Sequence, residues 1–203
     1  MSENDQWTLA ANNIAGLTIG MHEESELHHD DLPLESVWHN IHSVLAALEQ
    51  LGCPVVSVRS GDKTLSHQIT PYLHTEADII HKPTVPVYLT NAFHGWENGP
   101  LHQRLQEHER NILIAVGHSR DACMRCTIRA AHQMGYWVIS SYGLMFNKMR
   151  SGFWCPDDSK REYPRIATIC DSTDELLKHL AVLQSAPTTP EPLHVPLADE
   201  IAA

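Results

Sequence analysis

The sequence predicts an α/β fold: three αβα layers around a six-stranded, mostly parallel sheet. Three observations carry this. Short apolar runs rich in Val, Ile and Leu alternate along the chain with longer segments of helical apolar period. Gly and Pro stand at the junctions between them. The length, 203 residues, suits one domain with a sizeable buried core. Strands that alternate with helices pair in parallel and carry helices on both faces.

The elements follow in order. Residues 1–13 are polar and read as an N-terminal arm. Residues 14–19 form a first buried strand ending on Gly20, and a polar stretch from His22 to Asp31 follows. Leu34, Val37, Trp38, Ile41, Leu45 and Leu48 hold helical spacing up to Gly52, which ends the helix. Residues 54–58 are a second strand, and residues 78–81 a third that delivers Lys82 and Pro83. Residues 83–98 read as a long loop carrying Tyr88, Phe93 and Trp96. Gly99-Pro100 opens a helix with Leu101 and Leu105 on one face. The run 111–116 is a fourth strand closed by Gly117; Cys123, Cys126, Thr127, Ala130, Ala131 and Met134 then keep helical spacing until Gly135. Residues 136–140 and 166–169 are the fifth and sixth strands, with 143–164 irregular between them. A capping box, Ser172-Thr-Asp-Glu175, opens a last helix through Leu176, Leu177, Leu180 and Leu183. The domain is thus expected over 14–184. Pro187, Pro190, Pro192 and Pro196 keep the tail, 185–203, extended.

Composition excludes several classes. With 14 basic and 25 acidic residues the formal charge is −11, and no basic cluster suggests a nucleic-acid surface. No apolar run reaches transmembrane length, and the start Met-Ser-Glu-Asn-Asp lacks a signal-peptide pattern. The five cysteines are odd in number and show no repeated spacing. They read as free thiols in a reducing, cytoplasmic setting.

Ligands of parallel sheets bind beyond the carboxyl ends of the strands, near a switch in strand order. Those ends deliver Gly20, Lys82 and the segment Gly117–Cys123. Cys123 holds the most chemical promise. It lies between a buried strand and a helix, where free backbone N–H groups and the helix dipole favour a thiolate and can bind an oxyanion. The alternative is a small buried hydrophobe, a common fate of free cysteine.

Gly117-His-Ser-Arg-Asp-Ala-Cys123-Met-Arg-Cys-Thr127, followed by Gly135-Tyr136-Trp-Val-Ile, resembles the signature of the isochorismatase-like cysteine hydrolases. Leu17–Met21, Leu51–Val56, Ala77–Lys82 and Asn91–Phe93 fall into the family's order, and the likeness spans roughly 14–183. The resemblance implies a six-stranded parallel sheet flanked by helices, a homo-oligomer, and hydrolysis of a C–N bond in an amide or ureide by an Asp-Lys-Cys triad. By position it makes Cys123 the nucleophile and Lys82 the lysine. It places an oxyanion hole at the backbone N–H groups around Ser119 and Cys123, after a cis peptide bond between His118 and Ser119. His118 and Ser119 are then candidates to meet the small-molecule substrate. Arg120 and Arg125, near the helix start, either bind an anionic substrate group or pair with a carboxylate, and the loop aromatics Phe93 and Trp96 wall either an apolar substrate site or an oligomer contact.

The chain also departs from the family. Where the family carries its aspartate, at the end of the first strand, this chain has Gly20. Three outcomes stay open. Glu23, Glu24 or His22, just past that strand end, replaces the acid–base group; a reactive thiol persists without turnover; or the fold serves binding or assembly. Other constellations are weaker. His28-His29-Asp30-Asp31 and His39-x-x-His42 suggest a metal, but no third ligand at fixed spacing accompanies them. Neither a metal nor another cofactor is expected. Cys126, one turn beyond Cys123, either packs behind it or resolves its oxidised form.

Overall fold

The computed structural model describes residues 10–23, 27–29, 31–61, 63–82, 92–93, 98–148 and 156–185. Its strands are β1 (Ile14–Ile19), β2 (Leu27–His28), β3 (Val55–Ser60), β4 (Ile79–Lys82), β5 (Ile112–His118), β6 (Trp137–Ser141), β7 (Met145–Lys148) and β8 (Thr168–Cys170). The helices are α1 (Leu34–Gln50), α2 (Pro100–Glu107), α3 (Arg125–Gln133), α4 (Pro156–Ile166) and α5 (Thr173–Ser185).

Every residue of β1 is buried, so both its edges and both its faces are covered. Its edges pair in parallel with β3 and β5. β3 pairs in parallel with β4, β5 with β6, and β6 with β8. The parallel order is therefore β4-β3-β1-β5-β6-β8, which reverses direction between β1 and β5. Two apolar clusters fill the two sides of the sheet. On one, Val37, Ile41, Leu45 and Leu48 of α1 meet Leu176 and Leu180 of α5. On the other, Leu101 and Leu105 of α2, Ile128 and Ala131 of α3 and Tyr163 of α4 pack together. These are the three expected αβα layers, with six parallel strands at their centre.

The stretch expected to be irregular holds the main departure. β7 pairs in parallel with Gly117 and His118, on the β5 edge that β6 covers only at Ile112–Ile114. β2 pairs antiparallel with β7 and extends the sheet there. α4 is a helix whose sequence, PDDSKREYPRI, has little apolar period and contains Pro164. Proline lacks the N–H that would bond the carbonyl four residues back, that of Lys160. The Tyr142 hydroxyl donates to that carbonyl instead, at 3.4 Å. Tyr163, fully buried, anchors the helix by donating its hydroxyl to the Arg120 carbonyl. The expected tail, 185–203, lies outside the described residues apart from Ser185, as does most of the N-terminal arm.

A buried carboxylate fixes the start of β4. Asp78, 1% exposed, accepts from the Thr75 N–H at 3.1 Å and its hydroxyl at 3.0 Å. Its other oxygen takes Arg104 Nε of α2 at 2.9 Å and faces His108 Nε2 at 3.1 Å. Burial pushes this carboxyl up, but the hydrogen bonds from His108, Arg104 and Thr75 together hold it below the usual carboxylate range. A carboxyl depressed by folding stabilises the fold above its unfolded pKa, about 3.9. That stabilisation disappears as pH falls through the lower, folded value. Asp78→Asn is expected to cost roughly 1–3 kcal/mol at pH 7, measured by urea unfolding. The difference from wild type should shrink as pH drops below about 4; an equal difference at pH 7 and pH 3 would contradict this role.

Candidate active site

β5 runs out at His118, and the peptide bond from His118 to Ser119 is cis. The Ser119 carbonyl then accepts the N–H groups of Ala122 (3.1 Å) and Met124 (3.1 Å). This wide turn, Arg120–Met124, carries Cys123 and runs into α3. Lys82 ends β4, and its Nζ lies 3.2 Å from Cys123 Sγ. Neighbouring strands lie about 4.8 Å apart, so β4 and β5, three spacings from each other, are roughly 14 Å apart at their backbones. The two side chains nevertheless meet, Lys82 reaching from the end of β4 and Cys123 from the turn after β5. Lys82 is 4% exposed, whereas Cys123 is partly exposed.

Gly20 occupies the end of β1 at φ +65°. A Cβ added there would lie 2.3 Å from the His118 carbonyl oxygen, with His118 Nδ1 4.0 Å away. The imidazole of His118 thus stands beside the place where a side chain at position 20 would begin.

The other candidates separate by location. Glu23 is exposed, and its carboxylate lies 3.6 Å from His67 Nδ1. Among the described residues, no carboxylate is within ion-pair distance of Lys82 or hydrogen-bonded to Cys123. The buried His22 accepts the Ser60 N–H on its Nε2 at 3.1 Å. Glu24 and Trp96 lie outside the described residues. Of the two roles open to Arg120, an anionic substrate group or a carboxylate partner, the structure shows the second: it is enclosed at 1% exposure, with Nε 3.2 Å from Asp121 Oδ1. Packing of the turn against Tyr163 closes it in. Phe93, expected on a pocket wall, is likewise in the core, its ring 5.3 Å from that of Tyr136. The N–H of Ala92 beside it donates to the buried Thr127 hydroxyl at 3.0 Å, which pins this segment to α3.

The thiols are unequal. Burial pushes Cys53 and Cys170 each up to about 11. Burial also raises Cys126, and the nearby Cys123 adds to this, while Arg129, Arg125 and Lys82 oppose it. Among the described residues no three His, Cys, Asp or Glu side chains gather as metal ligands. The ring nitrogens of His42 are taken by Tyr72 (3.0 Å) and Gln68 (3.1 Å). No described helix is long and apolar enough to cross a membrane.

Sequence reasoning did not single out Glu162 and Tyr163, because α4 was not expected. It found Arg125 but not its partners. The acidic and basic ends of 156–166, with proline first, are the signal that marks this helix.

Solved structures share the fold. A cysteine hydrolase from Pseudomonas syringae pv. phaseolicola superposes with a TM-score of 0.65 at 16% identity, covering 88% of this chain and 97% of that one. YcaC from Pseudomonas aeruginosa, solved with hexane-2,5-diol and covalent acrylamide, gives a TM-score of 0.66 at 14% identity, covering 86% and 83%. The Escherichia coli YcaC gene product, an octameric hydrolase of unknown specificity, gives 0.62 at 14% identity, covering 79% and 76%. No curated protein matches the sequence. The isochorismatase domain model matches residues 29–140, more than half of the chain, and on that match the protein belongs to the isochorismatase family.

Proposed function

We propose that the chain is a cysteine-dependent hydrolase of a C–N bond in a small amide or ureide. The observation that carries this is the contact between Lys82 Nζ and Cys123 Sγ, 3.2 Å at the mouth of the turn after β5. In this reading the Cys123 thiolate, with the Lys82 ammonium as counter-ion, attacks the carbonyl carbon. The carbonyl π electrons move onto oxygen, and backbone N–H groups of the turn at Ser119 and Cys123 stabilise that oxyanion. Collapse expels the amine, which takes a proton, and leaves a thioester on Cys123. Water then releases the acid and regenerates the thiol.

The proton-carrying group is the point of departure from the family, which uses an aspartate where this chain has Gly20. Glu23 faces His67 and His22 is tied to Ser60, so of the described groups His118, beside Gly20, is best placed to take this part. Histidine is the side chain that most readily exchanges a proton near neutral pH. Glu24 remains the carboxylate candidate. The glycine also favours a second reading, a family member that binds or assembles without turnover. Either form is proposed to act in the cytoplasm as a homo-oligomer, the latter by analogy with the octameric relative.

Alkylation separates Cys123 from its neighbours. With limiting iodoacetamide at pH 7, peptide mapping should show Cys123 reacting about tenfold or more faster than Cys53, Cys126 or Cys170. Lys82→Met should slow Cys123 by a similar factor. Uniform labelling, or labelling indifferent to Lys82, would remove the chemical basis of the proposal. Cys123→Ala should also abolish turnover of any amide in a substrate panel while leaving the fold intact.

Restoring the family residue should not restore the family site. Gly20→Asp puts a side chain at positive φ against the His118 carbonyl and is expected to lower stability by roughly 1–3 kcal/mol. Gly20→Ala serves as the uncharged control. A Gly20→Asp protein as stable as wild type and faster on amides would mean that the strand end accepts the aspartate after all.

A further inference from the structure

Outside the cysteine site and the Asp78 cluster, charge gathers at a further place among the described residues. Four of the nine arginines in this net-acidic chain converge between α3 and α4. Two of them hold Glu162: Arg125 Nε lies 2.5 Å from its Oε2, and Arg129 reaches Oε1 at 2.5 Å and Oε2 at 2.7 Å. Those hydrogen bonds, Arg129 foremost, hold the Glu162 carboxyl below its usual range, with burial opposing. Arg161 and Arg165 of α4 are both exposed, and neither is in an ion pair among the described residues. Arg125, Arg161, Glu162 and Arg165 line an open cleft of about 470 Å³.

Two guanidinium groups thus saturate Glu162, while Arg161 and Arg165 line the cleft beside it with no ion-pair partner among the described residues. The arrangement is unfavourable on its own account. Arg125 with Arg129, and Arg161 with Arg165, are like-charged pairs one helical turn apart. Arg125 also opens α3, at the positive end of its dipole. Packing alone does not call for this, since Arg161 and Arg165 are exposed. A bound anion would relieve each of these repulsions, and guanidinium forks match oxyanions two bonds at a time.

We propose that the cleft is a binding site for an oxyanion group, phosphate or carboxylate, on a small ligand, gripped by Arg161 and Arg165 with Arg125 behind. The site does not depend on turnover at Cys123.

Isothermal titration of the full chain with inorganic pyrophosphate, and separately with citrate, tests this at an ionic strength held constant with chloride. At least one anion should bind saturably, and the double variant Arg161→Gln/Arg165→Gln should weaken it about tenfold or more. Both side chains are exposed, and near-UV circular dichroism checks that the fold persists; Lys178→Gln on α5, also exposed, should change nothing. Tighter pyrophosphate marks a phosphate-bearing ligand, and tighter citrate a polycarboxylate. The proposal falls if neither anion binds saturably or if the double variant binds as wild type does. It falls equally if the arginines are found to mediate self-association without anion binding.

Discussion

The close approach of two backbones at the ends of β1 and β5 governs the geometry of this protein. A Cβ at Gly117 would lie 2.2 Å from the Ile19 carbonyl oxygen, and one at Gly20 would lie 2.3 Å from that of His118. Each strand end therefore fills the space that a side chain on the other would need. Both glycines take positive φ, open to them at no steric cost. This interlock sits where the strand order reverses, the place where parallel sheets open a crevice. From it the chain leaves through Ser119 into the turn that carries Cys123. There the side chain packs against the core, and its sulfur meets Lys82.

The second constraint is electrostatic. Lys82 is nearly buried, and among the described residues it has no carboxylate partner. An ammonium removed from water is costly unless a charge or hydrogen bond compensates it. The sulfur at 3.2 Å is the group that does so here. Asp78 complements this at the other end of β4, where its bonds to Thr75, Arg104 and His108 hold the strand that presents the lysine. Asp78 stabilises the fold through β4, and Lys82, at that strand's end, bears on the chemistry.

The six parallel strands and four of the five helices were legible because each carries its own period or cap. α4 was not, since among its residues with described side chains Tyr163 alone is fully buried, and Pro164 interrupts the helical pattern. Its existence depends on partners distant in sequence, the Tyr142 hydroxyl and the Arg120 carbonyl, which local pattern does not report. β7 was hidden for a similar reason: it fills a gap on β5 left by the shortness of the β6 pairing. At the site, Cys123 and Lys82 were legible from strand ends and motif order. Arg120 and Phe93 were candidates for substrate contact by their types, and burial places them in the structure's interior. The arginine cleft escaped notice because Arg125 and Arg161 are 36 positions apart (161 less 125) and meet only once α4 packs on α3.

A glycine at position 20 changes the balance between the two halves of a thiol hydrolase cycle. Attack on a carbonyl needs the thiolate and an oxyanion site, and a lysine counter-ion with turn N–H groups supplies these without a carboxylate. Expulsion of the amine and entry of water each need a group that moves a proton, and such help is typically worth about a hundredfold to ten-thousandfold. Lys82 is poorly suited to that, because giving up its proton would strip the thiolate of its counter-ion. In the proposed cycle, such an arrangement favours capture over release unless a second proton carrier stands close by. His118 is proposed for that part because its imidazole lies beside the space that Gly20 leaves without a side chain.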